Sequence, residues 1–344
     1  MIETVTLTRQ RVEQIAGKIR DVKICVIGDV CLDLYWRADM TRSRLSRETP
    51  HYPLPVVEET YTPGGCGNVM NNVHALAPGK LIPLSAIGRD WRGFLLKSWM
   101  DQHGMDTTGL IRRERGLTPC YCKPIRMGIS NVCYEDPRLD FENYEALSQS
   151  DEEKLLEALE AAAREVDIIA VSDQFQWGVI TPRIRRRLSE LAGTIPVVVD
   201  SRERATEYTG VIVKPNEVEA AFAIGRDITG LTLSIEEYAA IGQALREKNG
   251  CPVVVTLGEH GSLWCQEGKT CLAPTVKAEP PIDIVGAGDT FLSAFCCAYA
   301  ACGNGPESLA FANLASGVTV KKIGTTGTAS IEEILKKWEE HYNA

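Results

Sequence analysis

The stretch DIVGAGDTF, residues 283–291, places a carboxylate directly after small residues at the start of an apolar helical pattern. Gly286, Ala287 and Gly288 would let an anion approach the backbone N–H groups, and the helix adds about half a positive charge there. Asp289 would repel that anion unless it accepts a proton from an attacking hydroxyl. The pattern predicts phosphoryl transfer with Asp289 as catalytic base and 286–288 as an anion hole. The alternative is a simple helix cap.

A second glycine-rich stretch, PGGCGN at 63–68, precedes another helical pattern. It lacks the third glycine and the buried preceding strand of a dinucleotide-binding fingerprint. We interpret its amides and the Asn68 side chain as hydrogen-bonding partners for sugar hydroxyls. A plain helix-entry turn would explain the same residues.

Asp29 and Asp33 follow the first buried strand. Ligands of doubly wound sheets bind beyond the carboxyl ends of the strands, so both side chains are placed to accept hydrogen bonds from a polyol. The alternative is a pair of solvated loop carboxylates.

The stretch KPNEVE at 214–219 opens a helix after a strand. Asn216 and Glu219 fit a capping box, or they organise water around Mg²⁺ on nucleotide phosphates. The stretch from Thr256 to Gly261 runs from a strand into a turn with Gly258 and Gly261 three apart, which suits a nucleotide-side loop.

These stretches need a scaffold in which buried strands alternate with helices. Continuous apolar runs predict parallel strands covered on both faces, at 23–28, 168–171, 196–199, 211–213 and 253–256. Amphipathic patterns predict helices at 7–20, 151–164, 182–192, 216–224 and 234–248. The alternation predicts an α/β fold with a doubly wound, mainly parallel sheet and helices on both faces.

Two segments, 33–60 and 117–142, break this rhythm with short alternating, proline-containing stretches. They predict antiparallel strands that form a small β-strand lid on a single domain spanning 1–344. The apolar alternation at Tyr52, Leu54 and Val56 favours a homodimer through the lid.

Composition excludes several classes of protein. The net charge of −9 argues against nucleic acid or a membrane surface as a partner. Twelve cysteines without paired CxxC motifs predict reduced, mostly buried thiols. This thiol usage, with neither a signal-peptide core nor a long apolar run, predicts a cytoplasmic protein.

Together, DIVGAGDTF, PGGCGNV and KPNEVE resemble, in order and spacing, the motifs of the ribokinase-like (phosphofructokinase-B type) carbohydrate kinases. The resemblance covers essentially the whole chain and implies a kinase that uses ATP and Mg²⁺, with a possible K⁺ requirement.

Carried over position by position, the resemblance implies these roles: Asp289 as base with Gly286, Ala287 and Gly288 as anion hole; Asp33, Gly64, Gly65 and Asn68 on the sugar; Asn216 and Glu219 at the metal–phosphate end; Thr256, Gly258, Gly261 and Asn313 around the nucleotide; Asp283 and Val285, with 322–327, as a monovalent-cation loop.

A narrower resemblance to the D-glycero-β-D-manno-heptose-7-phosphate kinases lies in VIGDVCLDLYW, SRLSRETPHYPLPVVEE, PRLDFENYE and VSDQFQWG. It implies phosphorylation of the anomeric hydroxyl of a phosphosugar, with Arg138 and Asp140 at the substrate. Three stretches depart from the family pattern: 174–178, extra residues at about 51–53 that lengthen the lid, and 200–202. All three concern the sugar more than the catalytic turn. With no HxGH motif before residue 344, we expect no nucleotidyltransferase activity.

Two alternatives stay open. One is a kinase for another acceptor, such as ribose, fructose, a hexose phosphate or a nucleoside. The other is a non-catalytic sugar-phosphate or nucleotide sensor on the same scaffold.

Overall fold

The computed structural model describes residues 2–276 and 278–342, in which buried strands alternate with helices. The strands are β1 (Ile2–Thr4), β2 (Lys23–Gly28), β3 (Val30–Asp39), β4 (Val56–Gly65), β5 (Lys80–Ile87), β6 (Leu110–Arg112), β7 (Cys120–Met127), β8 (Tyr134–Glu135), β9 (Leu139–Phe141), β10 (Ile168–Asp173), β11 (Val197–Ser201), β12 (Ile212–Val213), β13 (Val253–Thr256), β14 (Ser262–Gln266) and β15 (Lys269–Ala273). The helices are α1 (Arg9–Ile19), α2 (Cys66–Ala75), α3 (Trp91–Gln102), α4 (Gln149–Ala163), α5 (Pro182–Leu191), α6 (Glu217–Ala223), α7 (Ile235–Asn249), α8 (Ala287–Cys302), α9 (Gly305–Thr319) and α10 (Ile331–Tyr342).

The main sheet has the strand order β1-β15-β14-β13-β12-β11-β10-β2-β5-β6. Its centre is parallel, and β14 runs antiparallel to both of its neighbours. The carboxyl ends of the parallel strands therefore meet at one edge, where ligands of such sheets bind.

Alternate residues of each central strand enter different cores, because successive side chains point to opposite faces of a sheet. In β2, Ile24 and Val26 pack with α1, α2, α8 and α9, whereas Cys25 and Ile27 pack with α4, α5 and α7. Two helical layers thus cover the sheet, and the predicted doubly wound α/β fold is confirmed.

A second, smaller sheet lies apart from the main one, with the order β4-β3-β7-β8 and β9 paired to β7. We call it the lid sheet. The predicted antiparallel pairing is wrong for its central pair, because β3 and β7 are parallel. Strand β3 begins at residue 30 and β4 continues to residue 65, so the lid strands extend beyond the predicted segment 33–60.

The extension of β4 changes the setting of the second glycine motif. Helix α2 begins at Cys66 directly after the strand, with Gly65 at a φ of 55° as the junction. That left-handed conformation strains any other residue and explains the glycine.

The predicted helices are present within a few residues of their expected ends. All twelve cysteines are free thiols, and most are buried, as predicted. Within 2–276 and 278–342, no helix is both long and apolar enough to cross a membrane. The predicted domain also includes positions 1, 277, 343 and 344, which lie outside the described residues.

Core packing along α8 gives a first prediction. Phe295 is fully buried between Phe291 and Tyr299, so Phe295→Ala should lower the free energy of unfolding by about 3–5 kcal/mol. Phe94 on α3 is 63% exposed, so Phe94→Ala should change it by less than about 0.5 kcal/mol. Urea unfolding of both variants checks this, and equal losses would contradict the packing of α8.

Candidate active site

The N-terminus of α8 has the backbone expected of an anion hole. Gly286 caps the helix at a φ of 80°, in the left-handed region. The Ala287 N–H is engaged by the carbonyl of Ile284 at 3.1 Å. Within the described residues, the N–H groups of Gly288 and Asp289 have no backbone or side-chain acceptor. Two of the first amides of α8 are therefore available to an anion.

Asp289 is joined to the second glycine motif by a hydrogen bond. The Asn68 amide Nδ2 donates to Oδ2 of Asp289 at 2.8 Å, and Asn68 is fully buried. A Cβ at position 286 would lie 2.8 Å from Asn68 Nδ2, so glycine there makes the contact possible. The two predicted motifs thus meet, and the Asn68 side chain is directed toward the carboxylate.

The Asp289 carboxyl group has an unusual affinity for protons. Burial raises its pKa to about 7, Asn68 acts in the opposite direction, and the negative charge of Asp200 adds to the increase. A carboxyl group with such a pKa changes protonation state near neutral pH, as a general base needs to do.

A buried ion pair, Lys214–Asp200, lies near the Asp289 carboxylate. Lys214 Nζ is 2.9 Å from Asp200 Oδ2, and both residues are at most 9% exposed. Burial is the largest effect on Lys214 and lowers its pKa, but the carboxylates of Asp200, Glu219 and Asp289 together outweigh it, so the pKa is raised. Lys214 lowers the pKa of Asp289, and Asp200 raises it, so the pair lies close enough to influence the carboxylate.

Asp33 lies on β3 against the glycines of β4. A Cβ at Gly64 would lie 2.7 Å from Asp33 Oδ2, so the glycine gives the carboxylate room. Burial raises the pKa of Asp33, while Lys123 and Arg138 of the lid lower it. The structure brings Asp33, Gly64 and Gly65 together where β3 pairs with β4.

Arg138 and Asp140 pair with each other. Nε and Nη2 of Arg138 are 2.6 Å and 2.7 Å from the two oxygens of Asp140. The guanidinium lies 4.0 Å from the ring centroid of Tyr121, which is paired with Asp33 across β3 and β7. The lid therefore carries an aromatic and cationic surface next to Asp33.

Asp29 does not serve the predicted polyol. Its carboxylate accepts hydrogen bonds from the backbone N–H groups of Gln174, Phe175 and Val179, at 2.6–2.9 Å. Asp29 is 2% exposed, so it organises the loop at 174–179.

Asn216 and Glu219 form the capping box of α6, at 2.9 Å and 2.8 Å. Within the described residues, Glu219 Oε1 accepts no hydrogen bond. Burial raises the pKa of Glu219. Thr256 forms a parallel bridge with Asn216, so the predicted metal–phosphate and nucleotide residues are neighbours at the carboxyl edge.

Gly258 and Gly261 lie in the turn after β13, with φ values of 53° and 97°. The Asn313 amide Nδ2 donates to the carbonyl oxygens of Ala273 at 2.9 Å and Pro274 at 3.2 Å. This holds α9 to the end of β15, beside that turn.

Asp283 and Val285 form a loop tied to residues 320–324. Asp283 Oδ1 accepts from the Val285 N–H at 3.0 Å, and Oδ2 accepts from the Gly324 N–H at 2.9 Å. The two predicted halves of the cation loop are therefore adjacent.

Sequence reasoning missed four residues of this site. The Lys214–Asp200 pair was not assigned, although both residues follow buried strands. Asn72 and Thr290 were not singled out, although Asn72 is four residues after Asn68 and thus on the same helix face.

Solved structures share this fold. Arabidopsis thaliana ribokinase complexed with ribose and ATP matches with a TM-score of 0.69 at 20% identity, over 92% of this chain and 98% of that chain. Phosphofructokinase-2 from Escherichia coli in complex with potassium matches with a TM-score of 0.69 at 18% identity, over 93% and 99%. The fold is therefore that of the ribokinase-like proteins.

Sequence comparison gives the family. The profile of the pfkB family carbohydrate kinases matches residues 21–332, so the chain belongs to that family and is a phosphotransferase with an alcohol acceptor. Bifunctional protein HldE of Geotalea uraniireducens is 34% identical over 96% of this chain and 65% of that protein. HldE of Nitratiruptor sp. is 33% identical over 91% and 64%. The chain thus spans about two thirds of these relatives, which confirm the resemblance inferred from the motifs.

The pKa of Asp289 gives a prediction about stability. Because the pKa is raised from 3.8 to about 7 in the folded state, the wild type loses stability as pH rises from about 4 to about 7. Asp289→Asn removes this loss and still offers Asn68 an oxygen. It should stabilise the protein by on the order of 1–3 kcal/mol at pH 8 and by less at pH 5.

Thermal unfolding at the two pH values measures the difference, with Asp21→Asn on the exposed surface as the control. An equal gain at pH 5 and pH 8 would show that the Asp289 carboxylate is not destabilised by burial.

Proposed function

We propose that this carbohydrate kinase transfers the γ-phosphate of ATP to a hydroxyl of a sugar phosphate, most specifically the anomeric hydroxyl of a heptose 7-phosphate. The observation that carries the proposal is Asp289 itself. Its carboxylate has a pKa near neutrality and stands beside unpartnered amides at the start of α8.

In the proposed reaction, the acceptor hydroxyl lies between Asp33 and Asp289. Asp289 accepts the hydroxyl proton as the new O–P bond forms and the bond from the γ-phosphorus to the bridging oxygen of ATP breaks, releasing ADP. The amides of Gly288 and Asp289, with the dipole of α8, stabilise the charge on the transferring phosphoryl group.

The nucleotide would occupy the carboxyl edge from α6 to the turn after β13. Asn216 and Glu219 supply oxygen donors, which Mg²⁺ prefers, and the capping box fixes their positions. Two such donors fit an ion held through water and nucleotide phosphates. When bound, Mg²⁺ neutralises charge on those phosphates. The Asp283 loop is the proposed position for K⁺.

A cavity of about 170 Å³ lies next to the lid and is the proposed position of the acceptor phosphate. Its lining includes Tyr121 of the lid and both cations and carboxylates, namely Arg202, Arg204, Glu142, Asp173 and Glu203. Arg204 is paired with Asp173, whereas the Arg202 side chain has no hydrogen-bonding or ion-pair partner within the described residues. A phosphate in this cavity would contact the Arg202 guanidinium and lie close to the Tyr121 ring, over which the Arg138 guanidinium stacks.

The lid sheet is also the proposed dimer surface. Tyr52, Leu54 and Val56 are 39–64% exposed. Ile129 is 65% exposed, and Tyr134, on the opposite edge strand of the sheet, is 58% exposed. Pairing with a second copy would remove this apolar area from water.

The central experiment measures Asp289→Asn with a panel of heptose 7-phosphate, fructose 6-phosphate, fructose and ribose. Turnover should fall by about 10²–10⁴-fold while sugar binding measured by calorimetry stays within a few-fold. For the wild type, kcat/KM should fall about tenfold per pH unit below about pH 7. Undiminished turnover by the variant would refute the assignment of the base, and no sugar-dependent ADP release by the wild type would favour the sensor.

The acceptor phosphate is tested by Arg202→Met. Arg202 would contact the phosphate of the acceptor and not its sugar ring. The KM for the phosphorylated sugar should therefore rise about 10–100-fold, with little change in KM for an unphosphorylated acceptor. Arg186→Met, on an exposed face of α5, is the control. An equal effect on both kinds of acceptor would place the phosphate elsewhere.

A further inference from the structure

A chain of buried side-chain hydrogen bonds leads away from the Asn68–Asp289 contact. Asn72 Nδ2 donates to Asn68 Oδ1 at 3.1 Å. The Thr290 hydroxyl lies 2.9 Å from Asn72 Oδ1 and 3.1 Å from the Gly286 carbonyl oxygen, and these two acceptors share its single proton. Asn72 is 2% exposed and Thr290 1% exposed. This series of hydrogen bonds forms a closed ring, because Thr290, its last member, directly follows Asp289 in α8.

The orientation of the two amide groups in this ring is determined by their surroundings. Asn72 Nδ2 also faces the main-chain carbonyl oxygens of Asn68 at 3.0 Å and Gly327 at 3.5 Å, which can only accept. The amide nitrogen of Asn72 must therefore lie on that side, and its oxygen must face Thr290. It follows that Asn68 presents its oxygen to Asn72 and its NH₂ group to Asp289.

We propose that Asn72 and Thr290 are positioning residues that lock the amide orientation of Asn68. This inference rests on the proposed role of Asp289 as the base. With the Asn68 NH₂ group fixed, Oδ2 of Asp289 stays hydrogen-bonded and cannot favourably carry a proton. The substrate proton must then go to Oδ1, which accepts no hydrogen bond within the described residues.

The energetic reason lies in the cost of the flipped amide. If Asn68 turned its oxygen toward the carboxylate, two acceptors would face each other in a buried position. The ionised base would lose its hydrogen bond and hold its proton to higher pH, as it does when a donor is removed. Thr290 holds the amide group of Asn72 in place, and Asn72 in turn holds the amide group of Asn68, so the flip is prevented.

Other groups also act on the Asp289 carboxyl group. From the elements packed around it, they are Asp33 of β3, Asp200 of β11, Lys214 after β12, and the thiols of Cys31 and Cys66. None of them is hydrogen-bonded to the side chain of Asn72 or Thr290 in the described part of the chain. Changes at those two positions therefore test the amide orientation separately from the charges.

Thr290→Val is the most informative variant, because it keeps the shape and removes only the hydroxyl. The turn at Gly286 survives, since its carbonyl still accepts from the Thr290 backbone N–H at 3.0 Å. Thr290→Ser restores the hydroxyl. Asn72→Asp removes the donor toward Asn68, and Asn71→Asp, one position along α2, is its matched charge control.

We expect Thr290→Val to lower kcat at least about tenfold with both KM values within about twofold, and to move the acidic limb of the kcat profile to higher pH by about half a unit or more. Asn72→Asp should have a larger effect, and Thr290→Ser and Asn71→Asp should resemble the wild type. A residue that only supported the fold would lower the melting temperature without moving the acidic limb.

Asp289→Asn in the same assay separates the two proposals. If it is inactive while Thr290→Val keeps the wild-type kcat and pH profile, the positioning inference is overturned and the base assignment stands. If Asp289→Asn is active, the base assignment itself fails. Should Asn72→Asp not fold, the comparison of Thr290→Val with Thr290→Ser decides.

Discussion

The hydrogen bond from Asn68 to Asp289 joins two glycine-rich motifs that lie 221 positions apart, and the rest of the candidate site is arranged around it. It exists because α2 and α8 pack side by side with their N-termini at the same edge of the sheet. The Ser293 hydroxyl of α8 lies 3.0 Å from the carbonyl oxygen of Val69 in α2 and 2.7 Å from that of Asp289 in its own helix, so it also lies at the contact between the two helices. Gly286 contributes by lacking a side chain, since any Cβ would displace the Asn68 amide.

The site concentrates charge in a poorly solvated space. The carboxylates of Asp200, Glu219 and Asp289 act on one buried cation, Lys214, and the carboxylate of Asp33 acts on Asp289. Buried ion pairs contribute little net stability, because desolvation offsets their attraction. We therefore regard the Lys214–Asp200 pair as part of the electrostatic environment of Asp289, whose pKa is raised to about 7 by burial first and by the neighbouring carboxylates second.

The lid is where specificity is expected to reside. Its parallel β3–β7 pairing sets Asp33 opposite Tyr121 and Tyr35 opposite Lys123, which donates to the Tyr35 hydroxyl at 3.0 Å. The sequence does not predict either of these cross-strand pairs, because about eighty residues separate β3 from β7 along the chain. Two of the stretches that depart from the family pattern, 174–178 and 200–202, line the same region.

The sequence by itself determined the alternation of strands and helices, the positions of the glycine turns and the capping box at Asn216. These features depend on local periodicity and on backbone conformations available to few residue types. It did not determine the direction of β7 relative to β3. It also did not determine that the Asp29 carboxylate binds backbone amides of the loop at 174–179, whereas the Asp33 carboxylate lies against Gly64. Only the tertiary structure decided those points, together with the Asn72–Asn68–Asp289 chain, because hydrogen bonds between distant residues depend on how whole elements pack.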